Sequence, residues 1–151
     1  MVRLGSASCD VMPKDSIRSN GGHWWPDARR MPSPVVLVVE DQPLLRVNAI
    51  LEIENAGFEV LEAWDADEAI RILEARSDVR IVFNDIEMPG RMDGKRLAAC
   101  VRDRWPPIEI ILTSAACRPD DLFIPDRALF FSKPTDWPMV TLAMRRFAGL
   151  A

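Results

Sequence analysis

The feature that most constrains the fold is the run Val35-Val36-Leu37-Val38-Val39, which stops abruptly at Glu40-Asp41-Gln42-Pro43. An unbroken apolar run rich in β-branched valine has no polar face to show water. It therefore predicts a strand buried on both sides, the habit of parallel sheets covered by helices. The rest of the chain repeats the theme. A helix carrying Leu44, Leu45, Ile50 and Leu51 is predicted to end at Gly57, and Phe58 to Ala63 form a second strand. Asp65 can cap a helix with Ala69, Ile70 and Leu73 at helical spacing. A third strand runs from Val79 to Phe83 and leads into Asp85. Beyond Pro89-Gly90 and Asp93-Gly94 comes a helix around Leu97, Ala98 and Val101, stopped by Pro106-Pro107. Ile108 to Leu112 is a fourth strand ending in Thr113-Ser114, and Leu129-Phe130-Phe131 a short fifth one ending in Ser132-Lys133-Pro134. A last helix opens at Asp136, with Val140, Ala143, Met144 and Phe147 on one side. Alternation of this kind predicts an α/β fold with a five-stranded parallel sheet and helices on both faces. Between Thr113 and Leu129, Pro119 and Pro125 leave room for a short or broken helix only.

Residues 1 to about 33 follow a different grammar. Serines, Asn20, Gly21-Gly22 and prolines without periodicity predict a disordered or loosely held extension, with residues 34–151 as the ordered domain. Met31 sits just before the first strand and is an alternative start of the native protein, testable by N-terminal sequencing. No apolar stretch approaches the roughly 18 residues of a membrane span, and the N-terminus lacks a signal peptide's apolar core. Cys9, Cys100 and Cys117 are odd in number and lack zinc-ligand spacing, so they are expected as reduced thiols. His23 has no metal-binding company. These points together predict a cytoplasmic protein. A net charge of −4 argues against a nucleic-acid partner.

Ligands of open parallel sheets bind beyond the carboxyl ends of the strands. The first strand delivers Glu40 and Asp41 there, the third Asp85, the fourth Thr113 and the fifth Lys133. Three carboxylates in one cleft repel, by roughly 4 kcal/mol per pair at about 4 Å and an effective dielectric near 20. A cation relieves that repulsion. Oxygen-only donors with room for water and phosphate favour Mg²⁺. A nucleophilic carboxylate, a metal, a lysine and a hydroxyl donor are the parts of in-line phosphoryl transfer. Taken singly, each position has an ordinary explanation: an acidic strand end, a helix cap, a loop threonine, a turn lysine. Their joint placement at successive strand ends favours the functional reading.

The sequence resembles the receiver domains of two-component response regulators over residues 34 to 148. The likeness rests on Val38-Val39-Glu40-Asp41, on Asn84-Asp85-Ile86-Glu87-Met88-Pro89-Gly90 with Met92-Asp93-Gly94, on Leu112-Thr113-Ser114-Ala115, and on Phe131-Ser132-Lys133-Pro134. It implies a flavodoxin-like doubly wound sheet in the order 2-1-3-4-5. It implies Asp85 as phosphoacceptor and Asp41, Glu40, Asp85 and the Glu87 backbone carbonyl around Mg²⁺. Thr113 and Phe130 would be the switch pair, Lys133 the partner of aspartate and phosphate, and Lys133-Pro134 a cis bond. Implied partners are a histidine kinase or histidine phosphotransfer protein and a downstream protein of unknown identity, with a weak homodimer left open and no nucleic acid or membrane. With only four residues after Phe147, the likeness is to single-domain receivers without an output module. Such a chain is not an enzyme beyond its own phosphorylation and dephosphorylation. Three departures stand out: Phe130 lacks a tyrosine hydroxyl, Arg91 is an added residue in its loop, and the helix before the fifth strand is weak. Glu87 and Ala115 flank the region where dephosphorylation is tuned in the family. Two other readings remain. One is a constitutive interaction module using Trp24, Trp25 or the altered helix surface. The other is an aspartyl-nucleophile phosphatase with Glu87, two residues after Asp85, as general acid/base.

Overall fold

The structure, a computed structural model, describes residues 32–118, 120 and 124–151. The predicted extension with His23, Trp24 and Trp25 lies outside them, as do Pro119 and residues 121–123 of the segment expected to hold a short or broken helix. The described elements are β1 (Val35–Val39), α1 (Pro43–Asn55), β2 (Glu59–Ala63), α2 (Ala66–Ala75), β3 (Val79–Asp85), α3 (Gly94–Arg104), β4 (Glu109–Ser114), β5 (Ala128–Ser132) and α4 (Trp137–Phe147). All four strand pairings are parallel, in the order β2-β1-β3-β4-β5. This is the doubly wound, flavodoxin-like arrangement that the resemblance implies.

The alternation of side chains along a strand divides the interior into two cores. Val35, Leu37 and Val39 of β1 point to the side covered by α2 and α3, where Ala69, Leu73, Leu97 and Val101 are buried. Val36 and Val38 point to the other, with Ala49 and Ile53 of α1 and Val140 and Met144 of α4. β1 is buried at every residue because both its faces and both its edges are covered. The edge strands β2 and β5 are mixed and partly exposed.

Helix starts follow local chemistry. Asp65 accepts the Glu68 N–H at 2.8 Å, and the Glu68 carboxylate accepts the Trp64 N–H at 3.0 Å, a reciprocal arrangement at the start of α2. Asp93 and Asp136 cap α3 and α4 through the N–H groups of Arg96 and Met139. Pro43 opens α1, where no N–H is needed. Gly57 follows the end of α1 with φ +96°, a left-handed turn that costs glycine nothing sterically.

α1 is apolar on more than its inner face. Ala49 and Ile53 meet the core, whereas Leu44, Val47 and Leu51 remain 85%, 51% and 54% exposed. Their i, i+3, i+7 spacing makes a narrow stripe on the outer surface. Three of the leucines that signal this helix in the sequence, Leu44, Leu45 and Leu51, are thus exposed rather than core residues.

Candidate functional site

The carboxyl ends of four strands bring the expected groups together. Asp85, the last residue of β3, stands opposite Thr113 of β4 in the parallel register, and Thr113 stands opposite Phe131 of β5. Backbone bonds continue the ladder past the strand ends. Ile86 N–H donates to Thr113 O at 2.9 Å, Lys133 N–H to Ser114 O at 2.8 Å, and Glu40 N–H to Ala63 O at 3.1 Å. The site's residues therefore sit on a rigid sheet edge rather than on free loops.

Glu40 (2%), Asp85 (1%) and Thr113 (0%) are almost wholly buried. Lys133 Nζ lies 3.0 Å from Glu40 Oε2 and 3.2 Å from Asp85 Oδ2, one cation between two carboxylates. Glu40 Oε1 also accepts the Gln42 N–H at 3.1 Å, closing the β1–α1 turn. Carboxylate oxygens of Glu40, Asp41 and Asp85 all lie within 4.8 Å of one another. Burial pushes the Asp85 carboxyl up to about 7, the negative charge of Glu40 adds to this, and Lys133 opposes it. Burial by itself would lower Lys133, but its bond to Glu40 and the charge of Asp85 outweigh that and raise it.

The donor set fits a hard divalent cation. Asp41 Oδ1 is buried and has no hydrogen-bond partner among the described residues, and neither has the buried Thr113 hydroxyl. A carboxylate oxygen left in that position is destabilising unless something positive completes it. Lys133 supplies one charge against three acids, so the cluster carries an uncompensated negative excess.

Further residues frame the site. The Asn84 side-chain N–H₂, fully buried, donates to Gly94 O at 2.7 Å, and Gly94 N–H donates to Ile86 O at 3.1 Å. The start of α3 is thereby pinned against the end of β3. A Cβ on Gly94 would stand 2.0 Å from the Asp85 carbonyl oxygen, so only glycine fits. Arg46 reaches back from α1 to donate to Glu40 O at 3.0 Å and pairs with Glu62 at 3.0 Å. Phe83 and Trp137 rings pack 5.5 Å apart below a cleft that Thr113, Lys133 and Leu45 also line. The Lys133-Pro134 bond is cis, as the resemblance implies. Phe130 is partly buried against the α2/α3 core and pairs in register with Leu112.

The Glu87 side chain is bound to the turn after β4. Its carboxylate accepts the Ser114 hydroxyl and the N–H groups of Ala115 (3.3 Å) and Ala116 (3.1 Å). Burial opposes ionisation there, but these bonds outweigh it and hold Glu87 below the usual carboxylate range. Sequence reasoning missed this contact, the Arg46 bond and the Phe83–Trp137 pair. Their partners lie 27, 16 and 54 residues apart, and no local pattern signals such pairs. In the sequence Gly94 reads only as loop punctuation.

A doubly wound sheet with this acidic edge defines a class, and the comparisons place the chain within it. The chain belongs to the response regulator receiver domain family, whose model matches residues 36–124. It is 33% identical over 115 residues to the sensor kinase CckA of Brucella abortus, a match that takes in 74% of this chain and 12% of that kinase. It is similar in fold to a response regulator receiver protein from Sinorhizobium medicae, with TM-score 0.70, 21% identity, and 78% and 95% of the two chains covered. It is also similar to the response regulator protein TrrA from Thermotoga maritima in complex with Mg²⁺–BeF, with TM-score 0.66, 26% identity, and 78% and 99% covered. No described helix is long and apolar enough to cross a membrane.

Proposed function

We propose that this receiver domain is an Mg²⁺-dependent phosphoacceptor that takes a phosphoryl group on Asp85. The observation that carries the reading is the buried Asp85 carboxylate, held by Lys133 and flanked by two buried oxygens without partners, those of Asp41 and Thr113. Asp41, Asp85 and Glu40, with the Glu87 backbone carbonyl, would hold Mg²⁺, which when bound supplies charge neutralisation at the transferring phosphoryl group. An Asp85 oxygen attacks phosphorus, forming an O–P bond as the N–P bond of a phosphohistidine breaks, and the freed imidazole takes a proton. Lys133 balances the charge that builds on the phosphoryl oxygens, and the Thr113 hydroxyl donates to one of them. Phe130 then repacks, changing the surface near β5 and α4.

The donor is a histidine kinase or histidine phosphotransfer protein. Since Asp85 is only 1% exposed, the donor must press closely over the edge of the sheet. The exposed Leu44, Val47 and Leu51 stripe begins beside that edge and suits a transient apolar contact with a helix. The reading places the protein in the cytoplasm and its output in protein contacts.

Intact-protein mass after incubation with acetyl phosphate tests this, with and without Mg²⁺, on wild type and Asp85→Asn. One phosphoryl adduct that needs both Mg²⁺ and Asp85 is expected. Equal modification of Asp85→Asn would overturn it. Sustained turnover of small phosphate esters would favour a phosphatase instead.

A further inference from the structure

A phosphoryl group on Asp85 needs donors around it, and two amides of the turn that follows Thr113 are already occupied by another anion. The Glu87 carboxylate takes the Ser114 hydroxyl and the N–H groups of Ala115 and Ala116. Ser114 Oγ in turn accepts from Ala116 N–H at 3.2 Å and Cys117 N–H at 2.8 Å, so the turn after β4 is closed around one fixed carboxylate. The same residue is tied to the phosphoacceptor, because Glu87 N–H donates to Asp85 Oδ1 at 3.3 Å. Glu87 thus joins Asp85, through its backbone, to the loop after β4, through its side chain. The residue is exposed overall, so its carboxylate has water to move into. Thr113, whose hydroxyl has no partner among the described residues, immediately precedes the clasped turn.

Building on the phosphoacceptor reading, we propose that Glu87 is a positioning residue that serves as an internal anion. It holds the Ser114–Ala116 turn at rest and is displaced when a phosphoryl group on Asp85 brings negative charge beside it. Two anions that share one neighbourhood repel, and amides lined up for a carboxylate also suit phosphoryl oxygens. Release of the turn frees Thr113 to donate to the new group. Glu87 thereby opposes phosphorylation by the strength of its own clasp and couples the modification to movement of the loop. Each bond to a half-exposed carboxylate is modest, so the combined effect on affinity is about tenfold.

The test uses the full chain as wild type, Glu87→Ala and Glu87→Gln. Beryllofluoride with Mg²⁺ serves as the phosphoryl probe, and amide exchange at Ala115 and Ala116 is followed by NMR. In metal-free protein, Glu87→Ala is expected to speed exchange at these two amides about tenfold. It is also expected to bind beryllofluoride about tenfold more tightly, with Glu87→Gln intermediate because it keeps an acceptor without the charge. Simple structural damage would weaken binding, so weaker binding by Glu87→Ala overturns the proposal. So do unchanged affinity and exchange while wild type binds the probe, and that result leaves the phosphoacceptor reading standing. Failure of wild type itself to bind would remove both.

Discussion

Replacing Asp85 by Asn should stabilise the metal-free protein, in a way that depends on pH. In the fold the Asp85 carboxyl is pushed from 3.8 up to about 7, first by burial and then by Glu40. A raised carboxyl favours the fold while it is protonated, and that contribution is lost as pH rises through about 7. Each tenfold in an ionisation constant is worth about 1.4 kcal/mol. Keeping Asp85 ionised at pH 8 therefore costs the folded state at most about 4 kcal/mol against an unfolded chain. Asn has nearly the same shape, carries no charge, and leaves Lys133 paired to Glu40 at 3.0 Å. A gain of about 2 to 4 kcal/mol follows, which for a domain of this size is on the order of 10 °C in Tm. Thermal unfolding by circular dichroism in EDTA, from pH 4.5 to 8, measures it. The two proteins should differ least at pH 4.5, separate as pH rises to about 7, and keep that gap to pH 8. Millimolar Mg²⁺ should narrow the gap at pH 8 by stabilising wild type alone. If Asp85→Asn is no more stable than wild type at pH 8, or if its advantage is equal at both ends of the range, the account of the acidic cluster is wrong.

Other consequences follow from the same geometry. Mg²⁺ should raise the Tm of wild type, by about 2.7 kcal/mol of stability at one hundred times its dissociation constant, and Asp41→Asn should weaken that response in a titration. Lys133→Ala removes the one cation bonded to Glu40 and Asp85, so in EDTA it should destabilise the fold above pH 7 by about 2 kcal/mol or more and much less near pH 5, as urea unfolding would show. Gly94→Ala drives a methyl into the Asp85 carbonyl and should lower stability by at least about 2 kcal/mol, with loss of the Asn84 bond visible in amide exchange. Thr113→Ala deletes a buried hydroxyl without a partner, so stability should change by less than about 1 kcal/mol while the chemical-shift response of β5 to beryllofluoride disappears.

The order of elements and the gathering of acids, a hydroxyl and a lysine at one sheet edge are legible in the sequence because both rest on local rules. A five-residue apolar run with four valines can hardly be anything but a doubly covered strand, and β1 is buried along its whole length. Asp65, Asp93 and Asp136 cap helices through bonds that span only three residues. Glu40, Asp41, Asp85, Thr113 and Lys133 each follow an apolar run, and parallel strands must end at the same edge of a sheet. The sheet's crossovers bring Lys133 within 3.0 Å of Glu40, 93 residues away. That distance, the burial of Asp85 and the lack of a partner for Asp41 Oδ1 are decided by tertiary structure alone. So is the fate of Glu87, whose spacing from Asp85 suits general acid/base chemistry but whose side chain is bound to the turn after β4. The first helix shows the same limit, because its leucines mark a helix without saying which of them meet the core. Local propensity and periodicity depend on neighbours within a turn or a pleat. Charge compensation, desolvation and the choice of partner depend on groups that only the folded sheet brings together.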